Sequence, residues 1–313
     1  MTKLLTTALT AGVLALMPLT ASAGEIAVIV KTTNSNFWQN VNKGAAAALD
    51  GVEGHTMTFT GPAAETDIAD EVNMVDNAVN RGVEGIVLAP SDPEALIPAV
   101  KRAYEAGVPV VIIDSMLAEG GEGTYQAFLS TDNCAAGELV AKKMIEEAGT
   151  EGKVAIMSYI AGVGSEIGRV GCFQSYLAEN SNLEIVGPYY SQAQMGTALN
   201  QTTDVLTANP DLVGIYGANE PTAVGMGRAI VQAGKAGQLV AIGFDGNQDL
   251  QDFVRDGTLT ATAVQGSFQM GELGVKAILD ILDGKEVEPH IDTGVVLATQ
   301  ENLDSDEVKN VLY

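Results

Sequence analysis

The chain is poor in the residues that build metal centres and covalent scaffolds. Its 313 residues include two cysteines and two histidines. Cys134, Cys172, His55 and His290 are scattered rather than spaced as zinc ligands, so neither a metal nor a cofactor is expected. Two cysteines exclude a disulfide-stapled miniature domain. In an oxidising compartment they form either one bridge, Cys134–Cys172, or two buried thiols. Positive charge is scarce as well: 16 Lys and Arg stand against 40 Asp and Glu, a formal net charge of −24. That balance argues against nucleic acid or an anionic membrane surface as a partner. No G-x-S-x-G elbow and no P-loop occurs, and neither histidine closes a strand-like run. "GVGSEIG", Gly162 to Gly168, imitates a dinucleotide fingerprint, but its last glycine comes one residue late. No acidic residue closes a following strand where a ribose would need it, so the stretch reads as a turn into a helix.

Long apolar runs are missing except at the start. "MTKLLTTALTAGVLALMPLTASAG" has one lysine, a mostly apolar run, then Ala21-Ser22-Ala23. This is the pattern of a secretory signal peptide over residues 1–23, cut before Gly24. A retained anchor is the competing reading, but threonines interrupt the run and the small-residue site follows it closely. The expectation is an exported, soluble protein in the periplasm.

What the rest of the chain has in quantity is alternation. Short β-branched runs ("EIAVIV", "HTMTFT", "GIVLAP", "VPVVIID", then "KVAIMS", "EIVGPYY", "DLVGIYG", "LVAIGFD") alternate with helical segments. Strand, helix, strand with both sheet faces covered means parallel α/β. The first four runs lead to Asp114 and the second four to Asp245, with the glycine- and acid-rich "LAEGGEGTYQAF" between them. Two doubly wound parallel-sheet lobes of similar size follow. Beyond Asp245, a run, a helix over Phe268–Leu282 and a last run cannot make a third domain. The helix is expected to return to the first lobe, so that the chain crosses between lobes about three times. The predicted organisation is 24–131 plus 265–291 for the N-terminal lobe and 132–264 plus 292–313 for the C-terminal lobe. Several crossings make a hinge, and a hinge between two lobes makes a cleft that closes.

Open α/β sheets bind ligands beyond the carboxyl ends of their strands. Asn34, Ser35, Phe37 and Trp38, the only tryptophan, follow the first run; Asp114 and Ser115 follow "VPVVII". Arg169 lies on the helix after "KVAIMS", Asn219 follows "DLVGIYGA", Asp245 follows "LVAIGF", and Gln265 closes "ATAVQ" at a crossing. Each lobe offers a carboxylate, amides, and either aromatics or a guanidinium. Carboxylates accept from neighbouring hydroxyls, a guanidinium donates in a fixed fork, and an aromatic face packs the C–H side of a sugar ring. Singly, Asp114 and Asp245 are equally readable as helix caps, Arg169 as a surface charge, and the aromatics as core.

The mature chain resembles the ribose-binding-protein-like branch of periplasmic sugar-binding proteins. The resemblance is carried, in order, by "VKTTNSNFWQNVNKGA", "VPVVIID", "STDNCAAG", "GRVGCF", "GANEPTAVGMGRAI", "AIGFDGNQDL" and "ATAVQGSFQMG". It implies the periplasmic binding protein type I fold, with two α/β lobes joined by a three-crossing hinge, and no enzymatic activity. It also implies capture of a small sugar for the permease of an ABC importer, with a chemoreceptor as a further partner. It implies sugar contacts from Ser35, Phe37, Trp38, Asp114, Arg169, Asn219, Asp245 and Gln265. The chain departs from the ribose pattern at Lys31, where a small hydroxyl residue is usual, and at Ser115, where an arginine is usual. A third aromatic, usual in the second lobe, is replaced by Ala193, although Tyr189 and Tyr190 lie close by. These changes point away from ribose and toward another monosaccharide or a sugar alcohol, bound by a monomer. A secreted carbohydrate-active enzyme using the two aspartates, or a receptor for a furanose-like signalling molecule, is the alternative. Sugar-responsive repressors share the fold but begin with a DNA-binding segment where this chain has its signal-like start.

If Trp38 faces the cleft, its fluorescence is expected to change on adding the right sugar. Trp38→Ala is then expected to weaken binding by about 1–3 kcal/mol. Unchanged affinity in titration would return both aromatics to a purely packing role.

Overall fold

The computed structural model describes residues 23–313; the signal-like stretch 1–22 lies outside the described residues. The first half runs β1 (Gly24–Ile29), α1 (Asn36–Ala47), β2 (His55–Thr60), α2 (Ile68–Arg81), β3 (Gly85–Leu88), α3 (Ile97–Glu105), β4 (Val110–Ile113) and β5 (Ala127–Ser130). The second runs α4 (Asn133–Ala148), β6 (Glu151–Ser158), α5 (Gly164–Asn180), β7 (Asn182–Tyr190), α6 (Met195–Ala208), β8 (Leu212–Gly217), α7 (Glu220–Gln232), β9 (Val240–Phe244), α8 (Gln248–Arg255) and β10 (Ala261–Gln265). The chain ends with α9 (Ser267–Leu282), β11 (His290–Asp292), β12 (Val295–Thr299) and α10 (Asp306–Lys309).

Two six-stranded sheets result, ordered β11-β5-β4-β3-β1-β2 and β12-β10-β9-β8-β6-β7. Central strands such as "GIVL" in β3 and "VVII" in β4 are buried along their whole length, as strands covered by helices on both faces must be. Edge strand β2, "HTMTFT", is only partly buried, which suits its hydroxyls. In each sheet the order of winding reverses once, between β1 and β3 in the first and between β6 and β8 in the second. These are the topological switch points where such sheets open a crevice.

The chain passes between sheets three times: from β5 to α4, from β10 to α9, and from β11 to β12. Helix α9 does return to the first sheet, packing on α1 and β4. The approach to α1 is close because glycines meet there. A Cβ on Gly44 would overlap the Phe268 carbonyl, and one on Gly271 would overlap the Val41 carbonyl. Strand β12 pairs antiparallel with β10, whereas the other strand pairs of both sheets are parallel. It enters through the short Thr293–Gly294 link rather than through a crossover helix, and a parallel pairing needs the longer connection.

Strands β5 and β11 were not anticipated from the sequence. The first is four residues long and hidden at the end of the glycine-rich break, and the second is three. Neither is long enough to show a periodicity. Helices α8 and α10, both beyond Asp245, were likewise not anticipated.

Cys134 near the start of α4 and Cys172 in α5 are joined in a disulfide, with Cα atoms 5.1 Å apart. The helices come together at Gly137, where a Cβ would overlap the Arg169 carbonyl. The bridge closes a sequence separation of 38 residues. Replacing both cysteines by serine is expected to cost about 2–4 kcal/mol in denaturant unfolding, through the freed unfolded chain. Equal midpoints would show that helix packing alone supplies the rigidity.

Candidate functional site

The crevice between the lobes holds a small cavity, lined by both of them. Nine of the residues singled out in the sequence line it: Lys31, Ser35, Phe37, Trp38, Asp114, Arg169, Asn219, Asp245 and Gln265. Two do not. Asn34 is exposed, donates to the Ala63 carbonyl, and lines an adjoining cavity. Ser115 sits behind Lys31 and Asp114, touching both.

The first lobe contributes a buried ion pair. Lys31 follows β1 and Asp114 follows β4, and Lys31 Nζ donates to Asp114 Oδ2 at 2.6 Å and to Ser115 Oγ at 2.6 Å. A third hydrogen bond, from Ser115 Oγ to Asp114 Oδ2, closes the triangle at 2.8 Å. Burying two charges is tolerable only because each meets its partner and a further hydrogen bond. Lys31 Nζ also lies 5.9 Å from the Trp38 ring centre. Trp38 meets Phe37 edge-on, centroids 4.8 Å apart. Both aromatics belong to the first-lobe core and both line the cavity, so the packing and cleft readings hold together. Ser35 caps α1, accepting from the Trp38 N–H.

Arg169 organises the second lobe. It is 2% exposed, so the surface-charge reading is wrong. Its guanidinium stacks on Phe244 at 3.7 Å, donates to the Ala218 carbonyl at 2.7 Å, and reaches Asn133 Oδ1 and Gln265 Oε1. Asp245 accepts from Gln265 Nε2 through Oδ1 and from the Glu220 N–H through Oδ2, each at 2.8 Å. Asn219 caps α7 through Oδ1. Asp114 and Asp245 are not helix caps. Each follows a strand with positive φ, 63° and 81°, a region that side-chain-bearing residues rarely enter. Such strain, about 1–3 kcal/mol, persists where the surroundings over-determine it and clusters at ligand sites.

Five lining residues escaped the sequence reading: Glu65, Tyr159, Ser165, Glu220 and Pro221. Tyr159 stands directly after β6, a strand end like the others, and supplies the second-lobe aromatic that Ala193 lacks. Its hydroxyl hydrogen-bonds to Ser165 Oγ at 2.8 Å. Glu220 and Pro221 adjoin Asn219 in "GANEP". Glu65 had no such flag; it lies in the loop after β2, where its Oε1 accepts from Trp38 Nε1 at 3.0 Å.

The site is acidic, with four buried carboxylates and two buried cations among its lining residues. Burial drives the Glu65 carboxyl above its ordinary value, against the pull of Lys31. Burial, then repulsion from Asp245, brings Glu220 up to about 7. Burial also raises Asp245 to about 6, with Arg169, Gln265 and the Glu220 amide opposing it. The site is thus a compact box of charge-assisted donors and acceptors with an aromatic wall.

The chain belongs to the periplasmic binding protein family, whose domain matches residues 26–286. Within it, the chain is a sugar-binding substrate-binding protein of the ABC-transporter type. It is 30% identical over 274 residues to the D-allose-binding periplasmic protein of Escherichia coli, covering 86% of this chain and 88% of that one. It is 28% identical to the ribose import binding protein of Bacillus subtilis, covering 88% and 87%. An ABC transporter solute-binding protein from Agrobacterium vitis, solved with bound D-fucose, is 71% identical with a TM-score of 0.92, covering 93% of this chain and 100% of that one.

The raised Asp245 value has two opposite consequences. Protonation of this group favours the folded sugar-free protein fully below the ordinary value of 3.8, and that contribution is lost as pH rises through about 6. Sugar hydroxyls, by contrast, need the carboxylate as acceptor. Affinity is therefore expected to fall as pH drops below about 6, and Asp245→Asn to flatten that dependence. Calorimetric titrations from about pH 5 to about pH 8 check it; a wild-type profile as flat as that of the variant would refute it.

Proposed function

We propose that the cavity captures a single neutral sugar ring of the 6-deoxyhexose or hexose kind, D-fucose being the best-supported example. The carrying observation is the set of six buried charged side chains from both lobes around one small space with an aromatic wall. Such a box suits a ring whose hydroxyls both donate and accept. The Phe37–Trp38 pair suits its C–H face, or the methyl group that distinguishes a deoxyhexose. D-fucose in the Agrobacterium vitis relative supports the reading.

Two lobes, 24–131 with 265–291 and 132–264 with 292–313, move about the three crossings. A ligand touching both lobes binds the closed form far better than the open one, and that difference drives closure. Each hydroxyl buried without a partner would cost about 1–3 kcal/mol, which is the source of selectivity. The protein acts in the periplasm after losing residues 1–23, as a monomer, and delivers its sugar to an ABC permease. It carries rather than converts, in keeping with a family and relatives named as binding proteins.

Lys31 and Ser115 replace a planar fork with a point charge, which accepts a different array of hydroxyls. In titration calorimetry against D-fucose, D-galactose, D-allose, D-ribose and galactitol, D-fucose or D-galactose is expected to bind tightest. Lys31→Met is expected to lower affinity roughly tenfold to a hundredfold and to lower stability, since Asp114 loses its partner. Ribose as the tightest ligand, with Lys31→Met binding normally, would overturn the assignment.

A further inference from the structure

Helix α1 begins at the cavity, and its first N–H groups have no partner within the helix. Ser35 Oγ takes the Trp38 N–H at 3.3 Å. The other two are taken from across the cleft. Glu220, on α7 of the opposite lobe, accepts the Asn36 N–H through Oε1 at 3.0 Å and the Phe37 N–H through Oε2 at 2.8 Å. A carboxylate at a helix N-terminus is the favourable pairing of charge and dipole. Glu220 is 5% exposed, and its bond to the Phe37 N–H is buried while that to Asn36 is partly so.

Glu220 Oε2 accepts a third bond, from the Tyr313 hydroxyl at 3.0 Å. Tyr313 straddles the lobes. The Tyr313 backbone N–H donates to the Gly246 carbonyl, and the Tyr313 main-chain oxygen accepts from Gln251 Nε2, both partners lying in the second lobe. Its ring packs against the first-lobe core cluster. Tyr313 does not line the cavity.

We propose that Glu220 and Tyr313 form a latch made wholly of protein groups, which holds the lobes closed and so sets how long a captured ligand stays. Both are positioning residues for capture. None of their three hydrogen bonds needs a ligand atom, so the latch adds the same stabilisation to the closed form for any ligand that fits. Opening exposes two helix N–H groups and a carboxylate together, which places the latch on the release step.

The test rests on the sugar reading above and is built to separate the two. Ligand kinetics are followed by stopped flow with D-fucose on the fluorescence of Trp38, in wild type, Tyr313→Phe and Glu220→Gln. Tyr313→Phe keeps the ring and removes only the hydroxyl. It is expected to speed dissociation about threefold to tenfold, with association within about twofold of wild type. Glu220→Gln, which turns one acceptor into a donor facing an N–H, is expected to speed it more. Unchanged dissociation in both variants would overturn the latch while leaving sugar capture standing. If wild type binds neither D-fucose nor any sugar of the panel, the functional reading fails instead. Small-angle scattering of the sugar-free proteins then decides the latch. Glu220→Gln more extended than wild type supports it, and superimposable profiles overturn it.

Discussion

The second half of the site hangs on one buried guanidinium. Arg169 ties together the end of β8 through Ala218, the start of α4 through Asn133, and the crossing strand β10 through Gln265, while lying flat on Phe244 of β9. A fully buried cation is tolerable only where every face of it meets an acceptor or a π surface. Satisfying Arg169 therefore fixes four separate chain segments relative to one another. Gln265 passes the constraint onward, because the side chain that receives from Arg169 also donates to Asp245. The arginine, the aspartate and a hinge strand form one unit.

The first lobe solves the same problem with different parts. Lys31, Asp114 and Ser115 form a closed triangle in which the ammonium meets a carboxylate and a hydroxyl. A lysine is a rotatable point charge and an arginine a rigid fork, so the two half-sites present unlike arrays of donors. The resemblance between lobes lies in the backbone. Asp114 and Asp245 both turn their chains at positive φ beyond the carboxyl end of a strand, and both point a carboxylate into the shared space. The local strain is held in place by the sheets behind, where Asp114 N–H bonds to the Leu129 carbonyl and Asp245 N–H to the Ala263 carbonyl.

An excess of buried acid has a consequence for motion. Four carboxylates against two cations leave the closed cleft with acceptors to spare. Each is given donors: Asp114 an ammonium, Asp245 an amide and a backbone N–H, Glu65 an indole N–H, and Glu220 the first turn of a helix on the opposite lobe. Of the four, Glu220 alone is satisfied across the cleft, so it is the carboxylate whose surroundings change most when the lobes part.

Much of this was legible in the linear chain. Buried β-branched runs such as "VPVVII" must become central parallel strands, because no other element hides an unbroken apolar run of that length beside amphipathic helices. Polar residues at the ends of those runs then fall at the crevice by topology, which is how Asp114, Asn219, Asp245 and Gln265 could be named. Short elements with no period, β5 and β11, could not be read that way. Nor could Glu65, which reaches the cavity from a loop by meeting an indole brought from another segment. The sequence by itself determined the layering and most of the polar inventory, since these follow from periodicity and from what stands at the ends of the apolar runs. Only the tertiary structure decided which carboxylate meets which donor, that Asn34 and Ser115 stand aside, and that Glu220 spans the cleft, because hydrogen bonds between segments far apart in the chain are set by three-dimensional packing and leave no local pattern.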